Sequence, residues 1–595
     1  MFGWFRNYRM VMGFGFKSAP RQAAFFLVSG AVMSLIYPAA AYGYKLLVDA
    51  AVDRDTSGIL AAVVVLSAAA GIGLVNGLYY IDLLFSVAER ASGEVDRRLI
   101  RLMGGVPGIE HHELPEHIDR LDLLREQRAL LGWMTNATAG LLRVAVQLIA
   151  SGVLLARLHP ALLLLPLFGT VSFVAGRRAQ EVQRRAEEST AGAERLRRHL
   201  FETGTEAAAG KEVRVFGLLD TLLNRHQLAS DAVMRERNRA EWLGAGLQSV
   251  GALVSGAAYA AAIGLVLVLA VQGSATPGDV VLAVGLAAGM NAIVSTAVFY
   301  GAHFLRVLRA ADRYLWLERY ARQSSRIVAD PLPAPARLER GIRLDSISFR
   351  YVGMDEDVLS GVDLWLPAGS VVAIVGENGA GKSTLVKILC GLYEPTAGRI
   401  LVDGVDVSRM DREGWRDRVS AAFQDFVRFE FLARESVGVG DVAKIASERD
   451  VGAALDRAQA SDLRGQLPQG LETQLGKDWK DGVELSGGQW QKLALGRAMM
   501  RERPLLLMLD EPTASLDAQT EHALFARYTS AARRAAEEAG TVTVLVSHRF
   551  STVRMADLIA VLDGGRIREL GSHEELMTLG GLYAELYELQ ARAYR

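Results

Sequence analysis

The stretch Gly376-Glu377-Asn378-Gly379-Ala380-Gly381-Lys382-Ser383-Thr384 decides the fold of the second half of this 595-residue chain. It matches the pattern G-x-x-x-x-G-K-[ST], with an apolar run, 370–375, before it and the helix-forming run 385–389 after it. This order predicts a buried strand, a glycine-rich turn and a helix. Glycines let a backbone wrap around phosphate oxygens, and a helix start offers unpaired N–H groups and a positive dipole end. The stretch therefore predicts a binding site for a nucleoside triphosphate.

The side chains of this phosphate loop have separate expected tasks. We expect Lys382 to reach the β- and γ-phosphates and the Ser383 hydroxyl to ligate Mg²⁺. The other residues expected at the nucleotide are Gly376, Asn378, Gly379, Gly381 and Thr384. The loop alone indicates a triphosphate with Mg²⁺ and leaves open what the nucleotide is used for.

Two further strands of an α/β domain are predicted to bring acidic and imidazole groups to the loop. The apolar run 505–509 is typical of a strand buried on both faces, and it ends in Asp510-Glu511. A second such run, 541–546, ends in Ser547-His548. Because parallel strands end at the same sheet edge, we expect Asp510 to hold Mg²⁺, Glu511 to act as general base and His548 to contact the γ-phosphate.

The composition of the first half indicates a membrane domain. Hydrophobic residues make up 50% of the chain, and the formal net charge of −1 gives no reason to expect a nucleic-acid partner. Most of the apolar segments exceed the ~20 residues that a helix needs to cross a lipid bilayer. The six segments are 23–48, 59–85, 130–156, 160–176, 243–271 and 280–304. A single cysteine, Cys390, excludes an internal disulfide and is expected to be a buried filler.

Basic residues predict the orientation of these spans. Lysine and arginine precede the first span and are frequent in the long loops 86–129 and 177–242, whereas the hairpin 272–277 has neither. Both termini are therefore predicted to be cytoplasmic. The long loops mix charged and apolar residues at helical spacing, which predicts that membrane helices continue into the cytosol. Glycines crowd the fifth and sixth spans, which predicts close helix packing.

The segment before the first span alternates aromatic and basic residues. Its aromatic residues are Phe2, Trp4, Phe5, Tyr8, Phe14 and Phe16. Two interpretations stay open: an amphipathic helix lying on the inner leaflet, or a frayed terminus.

Two charged residues fall within or near the predicted spans. Arg143 lies well inside the third span, and Asp82 lies near the inner end of the second. A charge is costly in hydrocarbon, so Arg143 is a candidate for the lining of a polar cavity. Asp82 either lies beyond the bilayer, which we prefer, or pairs with Arg143.

Leu485-Ser486-Gly487-Gly488-Gln489 opens a predicted helix that runs to about residue 500 and provides a second anion-binding helix start. With the phosphate loop and the six spans, this motif resembles the ABC transporters, specifically exporter half-transporters with one membrane domain and one nucleotide-binding domain. The resemblance covers nearly the whole chain. It implies a six-helix membrane domain over 1–325, a proline-rich linker over 326–341 and an α/β P-loop nucleotide-binding domain over 342–595.

The resemblance also implies roles for individual residues. Tyr351 resembles the residue that stacks on adenine, and Gln424 resembles the glutamine that senses Mg²⁺. Glu511 matches the catalytic glutamate and His548 the switch histidine. Ser486, Gly487, Gly488 and Gln489 form the family signature, Asp517 ends the D-loop 515–517, and 113–118 and 210–217 resemble coupling helices.

By the same resemblance, the signature of one chain closes over ATP held by the phosphate loop of a second chain. ATP binding would then drive the membrane halves from inward- to outward-facing, and hydrolysis would reset them. The implied activity is ATP-driven export, or inner-to-outer leaflet flipping, of an amphipathic substrate across a bacterial inner membrane. The expected cargo is a modified peptide, a drug or a lipid, and export of a peptide is the leading hypothesis.

One segment departs from the family pattern. Residues 476–482 stand where exporters commonly have a Gly-Glu-Arg-Gly-like stretch before the signature. Both catalytic elements are intact, so a homodimer is favoured, and the competent half of a heterodimer stays open. The six spans argue against a non-transport ABC ATPase, and a channel or regulator is disfavoured because no second half or regulatory segment is visible.

Overall fold

A computed structural model describes residues 3–207, 209–324, 330–511, 533, 536–547 and 549–593. The chain divides into two compact units. The first, the membrane unit, comprises 1–104 and 120–319; the second, the ATPase unit, comprises 105–119 and 320–595. The short segment 105–119 thus belongs to the ATPase unit, although the chain on both sides of it belongs to the membrane unit.

The membrane unit is built of helices over its described residues. Their bounds are α1 Gly3–Ser18, α2 Pro20–Val52, α3 Thr56–Gly104, α4 Glu110–Glu113, α5 Pro115–Gly132, α6 Met134–Leu158, α7 Leu165–Thr205, α8 Gly210–Val215, α9 Leu219–Val271 and α10 Pro277–Ser324, where α4 and the start of α5 belong to the ATPase unit. Six of them, α2, α3, α6, α7 with the short turn before it, α9 and α10, are long and apolar enough to cross a membrane. The six predicted spans are confirmed. The helices α3, α7, α9 and α10 each exceed 40 residues, as expected for spans that continue beyond the bilayer.

The segment before the first span is helical over Gly3–Ser18, which favours the helix over the frayed terminus, and Phe2 lies outside the described residues. Part of the apolar face of α1 is covered by protein, because Phe14 is fully buried and meets the Tyr314 ring edge-on at 5.5 Å. Trp4 and Phe5 remain more than half exposed. Phe16 is 36% exposed, so these three aromatic residues of α1 are available to a lipid surface.

Small residues bring α7 and α9 together. The Ser172 hydroxyl donates to the Gly251 carbonyl at 2.8 Å and lies 2.8 Å from the Ser255 hydroxyl. A Cβ on Gly251 would approach the Ser172 Cα to 2.9 Å. The expected close packing at span glycines is thus confirmed at this contact.

The ATPase unit has two sheets. One, of order β2-β1-β4-β5, is antiparallel; its strands are β1 Gly341–Phe349, β2 Leu359–Pro367, β4 Ala397–Val402 and β5 Val405–Asp406. The other has the order β10-β9-β3-β8-β7-β6. Its strands are β3 Val371–Val375, β6 Val419–Ala422, β7 Leu506–Asp510, β8 Val542–Val546, β9 Leu558–Asp563 and β10 Arg566–Gly571. Strands β9, β3, β8, β7 and β6 are parallel and largely buried on both faces, in agreement with their mainly apolar sequences.

Short helices surround these sheets. They are α11 Lys382–Leu389, α12 Arg412–Arg416, α13 Ala433–Gly438, α14 Glu448–Arg457, α15 Leu463–Gln466 and α16 Gly487–Ala498, followed by Phe550–Val553, His573–Leu579 and Leu582–Ala593. The predicted strand–turn–helix order around the phosphate loop is confirmed. The proposed boundary at 325 lies outside the described residues, and the domain limits stay a prediction. Within the linker, Leu332 joins the ATPase unit by donating its N–H to the Arg409 carbonyl at 2.9 Å.

Candidate nucleotide site

Three adjacent parallel strands bring the predicted site residues to one sheet edge. Ile374 of β3 is level with Val546 of β8, which is level with Asp510 of β7. The phosphate loop follows β3, Glu511 follows β7 and Ser547 follows β8, so all leave the sheet on the same side. The strand register thus places the phosphate loop, Glu511 and Ser547 close together, as the sequence predicts.

The phosphate loop depends on glycine at two positions. Gly376 has φ +156° and Gly381 has φ +103°. A Cβ on Gly376 would lie 2.1 Å from the Leu562 carbonyl oxygen, and one on Gly381 would lie 2.8 Å from Leu359. The clash at Gly376 is with a backbone atom, and the φ of Gly381 is one that larger residues rarely adopt, so a larger residue at either position would deform the loop. Asn378 and Gly379 form the exposed outer part of the loop.

Lys382 lies over the loop and faces the acidic residues of β7. Its Nζ donates to the Gly376 and Glu377 carbonyl oxygens, at 2.8 Å each. Burial lowers the pKa of Lys382, while Glu511 and Asp510 act in the opposite direction. The Lys382 ammonium group therefore lies between the loop and the carboxylates, where it can pair with a negatively charged phosphate.

Asp510 is a buried carboxyl in an acidic neighbourhood. It is 8% exposed, and burial, with the charges of Glu511 and Asp425, raises its pKa from 3.8 to about 6. Lys382 offsets part of this shift. Ionising a buried carboxyl beside other carboxylates costs free energy, and such groups are typical of functional sites. A bound cation would relieve the repulsion between the carboxylates.

Glu511 has a strained backbone and a direct partner. Its φ is +45°, a left-handed conformation that costs a non-glycine residue roughly 1 kcal/mol or more. Its carboxylate accepts a hydrogen bond of 2.8 Å from Gln424 Nε2, and its N–H donates to Val546 at 3.0 Å. The structure thus brings together Gln424 and Glu511, which are 87 residues apart.

The donor set for a cation consists of oxygen atoms. Ser383 is exposed at the start of α11, and the Gln424 side chain and the Asp510 carboxylate lie at the same sheet edge. Hydroxyl, amide and carboxylate oxygens are the ligands that Mg²⁺ prefers. These residues therefore fit the predicted ion by chemistry.

Tyr351 lies beside the helix that follows the loop. Its hydroxyl is 3.1 Å from the hydroxyl of the buried residue Thr384. Its half-buried ring meets Phe349 at 4.9 Å and Tyr393 at 5.5 Å, both edge-on. Sequence reasoning identified Tyr351 and missed Tyr393, whose apolar context carries no motif.

The signature begins α16 and is closed by its own capping box. Ser486 Oγ accepts from the Gln489 N–H at 3.3 Å, and the Gln489 side chain accepts from the Ser486 N–H at 2.9 Å. A Cβ on Gly487 or Gly488 would meet no atom within 4 Å. Neither glycine has positive φ, so nothing in the described part of the chain requires glycine at these two positions.

Two predicted residues, Asp517 and His548, lie outside the described residues. The coupling-helix candidates are helical: 113–118 spans the end of α4 and the start of α5, and 210–217 contains α8. In α8 and just beyond it, Val215 is 79% and Phe216 67% exposed.

In the membrane unit, Arg143 of α6 contacts an aromatic residue. Its guanidinium lies 5.6 Å from the centre of the Tyr80 ring, and its Nη1 lies 3.5 Å from the Tyr80 hydroxyl. Tyr80 in turn stacks on Phe26 at 4.9 Å. The pairing of Arg143 with Asp82 is wrong: Asp82 is exposed and, two residues beyond Tyr80, points to another side of α3.

Comparisons with known proteins agree with this arrangement. Residues 359–514 match the ABC transporter family model. An ATP-dependent lipid A-core flippase of Chromohalobacter salexigens is 30% identical over 530 residues, which cover 88% of this chain and 87% of that protein. A subtilin transport ATP-binding protein of Bacillus subtilis is 37% identical over 243 residues, 41% of this chain and 38% of that protein.

A solved structure supports the architecture of the full chain. The chain resembles an ATP-bound bacterial Atm1-family ABC exporter with a TM-score of 0.68 and 25% identity, over 96% of this chain and 97% of that one. Among the described residues, six helices that could span a membrane come before the sheets of the ATPase unit. The chain therefore belongs to the ABC transporter family, as an exporter-type half-transporter that couples ATP hydrolysis to transport.

Proposed function

We propose that two copies of this chain export or flip an amphipathic, negatively charged cargo, with two ATP sites shared between the copies. The observation that carries the proposal is the isolation of the signature glycines. Gly487 and Gly488 open a 12-residue helix, a Cβ at either position would meet no atom of the described residues within 4 Å, and Ser486 and Gly487 are exposed. A helix start of this kind suits phosphate oxygens presented by another chain.

Within each site the residues would take the roles expected from the sequence. The phosphate loop and Lys382 would hold the phosphates, and Tyr351 the adenine. Ser383, Gln424 and Asp510 would hold Mg²⁺, which supplies charge neutralisation at the phosphates. Glu511 would orient and deprotonate the attacking water. His548 and Asp517 are proposed as the γ-phosphate contact and the D-loop residue of the same site.

The proposal for the cargo rests on Arg143. Its Nε is buried and has no hydrogen-bond partner among the described residues, and its charge faces the Tyr80 ring at 5.6 Å. A cation in a span is costly, so its presence there favours a role in binding an anionic headgroup. The names of two relatives, a lipid A-core flippase and a subtilin transport protein, support a lipid or a peptide. The arginine-rich long loops favour a bacterial inner membrane with both termini cytoplasmic.

A pair of mixed dimers tests the shared sites. In the first, one copy carries Lys382→Ala and the other Gly488→Asp; in the second, one copy carries both changes and the other none. Both dimers contain the same two substitutions. If sites are shared, the first dimer retains one intact site, and the second has none.

The expected result is vanadate-dependent trapping of about one ATP equivalent in the first dimer and almost none in the second. The dimers would be purified through two different tags and compared in lipid nanodiscs. The opposite order, with trapping only in the second dimer, would mean that each chain builds its own complete site. A heterodimer with a different chain would instead appear as failure of the two tagged copies to co-purify.

A further inference from the structure

We propose that Glu113 positions the ATP site from the segment 105–119, through a closed ring of contacts that includes Tyr351. The inference rests on the proposed function in one respect, the role of Tyr351 and α11 in binding ATP. Glu113 itself touches no nucleotide group. It acts by holding two other side chains, so it is a positioning residue.

The two oxygen atoms of Glu113 are used separately. Oε1 accepts from Lys387 Nζ at 2.7 Å, and Oε2 accepts from the Tyr393 hydroxyl. The Lys387 ammonium also lies 5.8 Å from the centre of the Tyr393 ring. Side-chain exposures of 35% for Glu113 and 29% for Lys387 leave this ion pair partly shielded from water. Burial and the hydrogen bond to Glu113 both raise the pKa of Tyr393, so its hydroxyl remains a donor.

Each held side chain leads to the proposed nucleotide site by a different route. Lys387 belongs to α11, the eight-residue helix that begins at Lys382. A change in the position of Lys387 is therefore expected to shift Lys382 as well. The Tyr393 ring meets the Tyr351 ring edge-on at 5.5 Å. The Tyr351 hydroxyl returns to α11 at Thr384, 3.1 Å away. A single carboxylate thus fixes both the phosphate-binding helix and the aromatic residue beside it.

The segment is anchored firmly enough to act as a support. The Ile109 N–H donates to the Leu392 carbonyl at 3.3 Å, and Arg416 donates to the Pro107 carbonyl. A Cβ on Gly108 would approach the Leu392 carbonyl oxygen to 3.1 Å, which explains a glycine there. These backbone contacts survive loss of the Glu113 side chain. A variant at Glu113 is therefore expected to keep the segment in place while releasing Tyr393 and Lys387.

The test is ATP affinity of the full-length protein in nanodiscs, measured by titration with a fluorescent ATP analogue and displacement by ATP. Glu113→Ala is expected to weaken ATP binding about threefold to tenfold, the range for a partly exposed charged hydrogen bond. The melting temperature should change little. Glu113→Gln, which keeps the shape and one of the two acceptor oxygens, should recover part of the affinity.

Tyr393→Phe provides an independent variant that retains the ring contact with Tyr351 and removes only the hydroxyl. It should weaken ATP binding severalfold, and adding Glu113→Ala to it should cost less than Glu113→Ala costs alone. Unchanged affinity in both single variants, or fully additive losses in the double variant, would overturn the proposal. Lys382→Ala tests the proposed ATP site separately from the role of Glu113. Normal ATP binding by Lys382→Ala would show that ATP does not bind at the phosphate loop. Loss of ATP binding would support that site, whatever the Glu113 variants show.

Discussion

Replacing Asp510 by Asn should stabilise the nucleotide-free protein and abolish its ATPase activity. The native carboxyl is buried beside Glu511 and Asp425, which raises its pKa from 3.8 to about 6. Because the native pKa is the higher one, the native state binds this proton more tightly than the unfolded state does. The carboxylate therefore costs no stability below its unfolded pKa, and it costs the full amount only above about pH 6.

The size of the effect follows from the shift. About two pKa units at ~1.4 kcal/mol each give about 3 kcal/mol of destabilisation at pH 7.5, and about half of that remains at pH 5. Asn keeps the shape and removes the charge, although its amide must still be accommodated in a buried position. We therefore expect about 2 to 3 kcal/mol of stabilisation at pH 7.5, or roughly 4 to 10 °C in the melting transition of the ATPase unit.

The assay is differential scanning fluorimetry of the full-length protein in detergent, with EDTA and without nucleotide, at pH 7.5 and pH 5. Asp478→Asn, at an exposed position, is the matched control and should have no effect at either pH. An Asp510→Asn protein that melts at or below the wild-type temperature at pH 7.5 would refute the reasoning. So would a gain that is equally large at pH 5, because the effect would then not come from the charge.

Three other predictions test single sites. Glu511→Gln should reduce steady ATP turnover by roughly 10²-fold or more while ATP still binds, and near-wild-type turnover would end its assignment as general base. Arg143→Ala should lower stimulation of ATPase activity by phosphatidylglycerol more than twofold relative to phosphatidylcholine in nanodiscs, with Arg143→Lys intermediate; equal responses would return Arg143 to a structural role. Cys390, with its pKa raised to about 12 by burial, should resist maleimide at pH 7.5 until the protein is unfolded, and rapid labelling of the native protein would contradict its buried position.

The fold of the ATPase unit could be predicted because its central strands carry a strong local signal. Strands buried on both faces must be apolar throughout, and β7 and β8 each change abruptly to polar residues where they end. The sequence therefore fixes both the strand and the edge at which Asp510 and Glu511 emerge. The six spans were predictable for a similar reason, since a bilayer imposes length and apolarity on each segment independently.

The contacts that join distant parts of the chain could not be predicted. Glu113 and Lys387 are 274 residues apart, and Tyr80 and Arg143 are 63 apart. Each contact depends on helical phase and on how whole elements pack, whereas a local pattern reports only which side of one element is apolar. For this reason a plausible pairing of Asp82 with Arg143 was wrong, although both residues carry suitable charges.

Three departures from local rules in the ATPase unit occur among its proposed ATP-site residues. Asp510 is a buried carboxyl beside other acidic residues, and Glu511 has a left-handed backbone. Two successive glycines begin α16, although a Cβ at either position would meet no atom of the described residues within 4 Å. Each departure lowers the stability of the isolated chain by roughly 1 kcal/mol or more. Bound Mg²⁺ would relieve the charge repulsion at Asp510, and the phosphates of ATP held by another chain would contact the two glycines. These features agree with the proposal that the site is complete only when nucleotide and a second chain are bound.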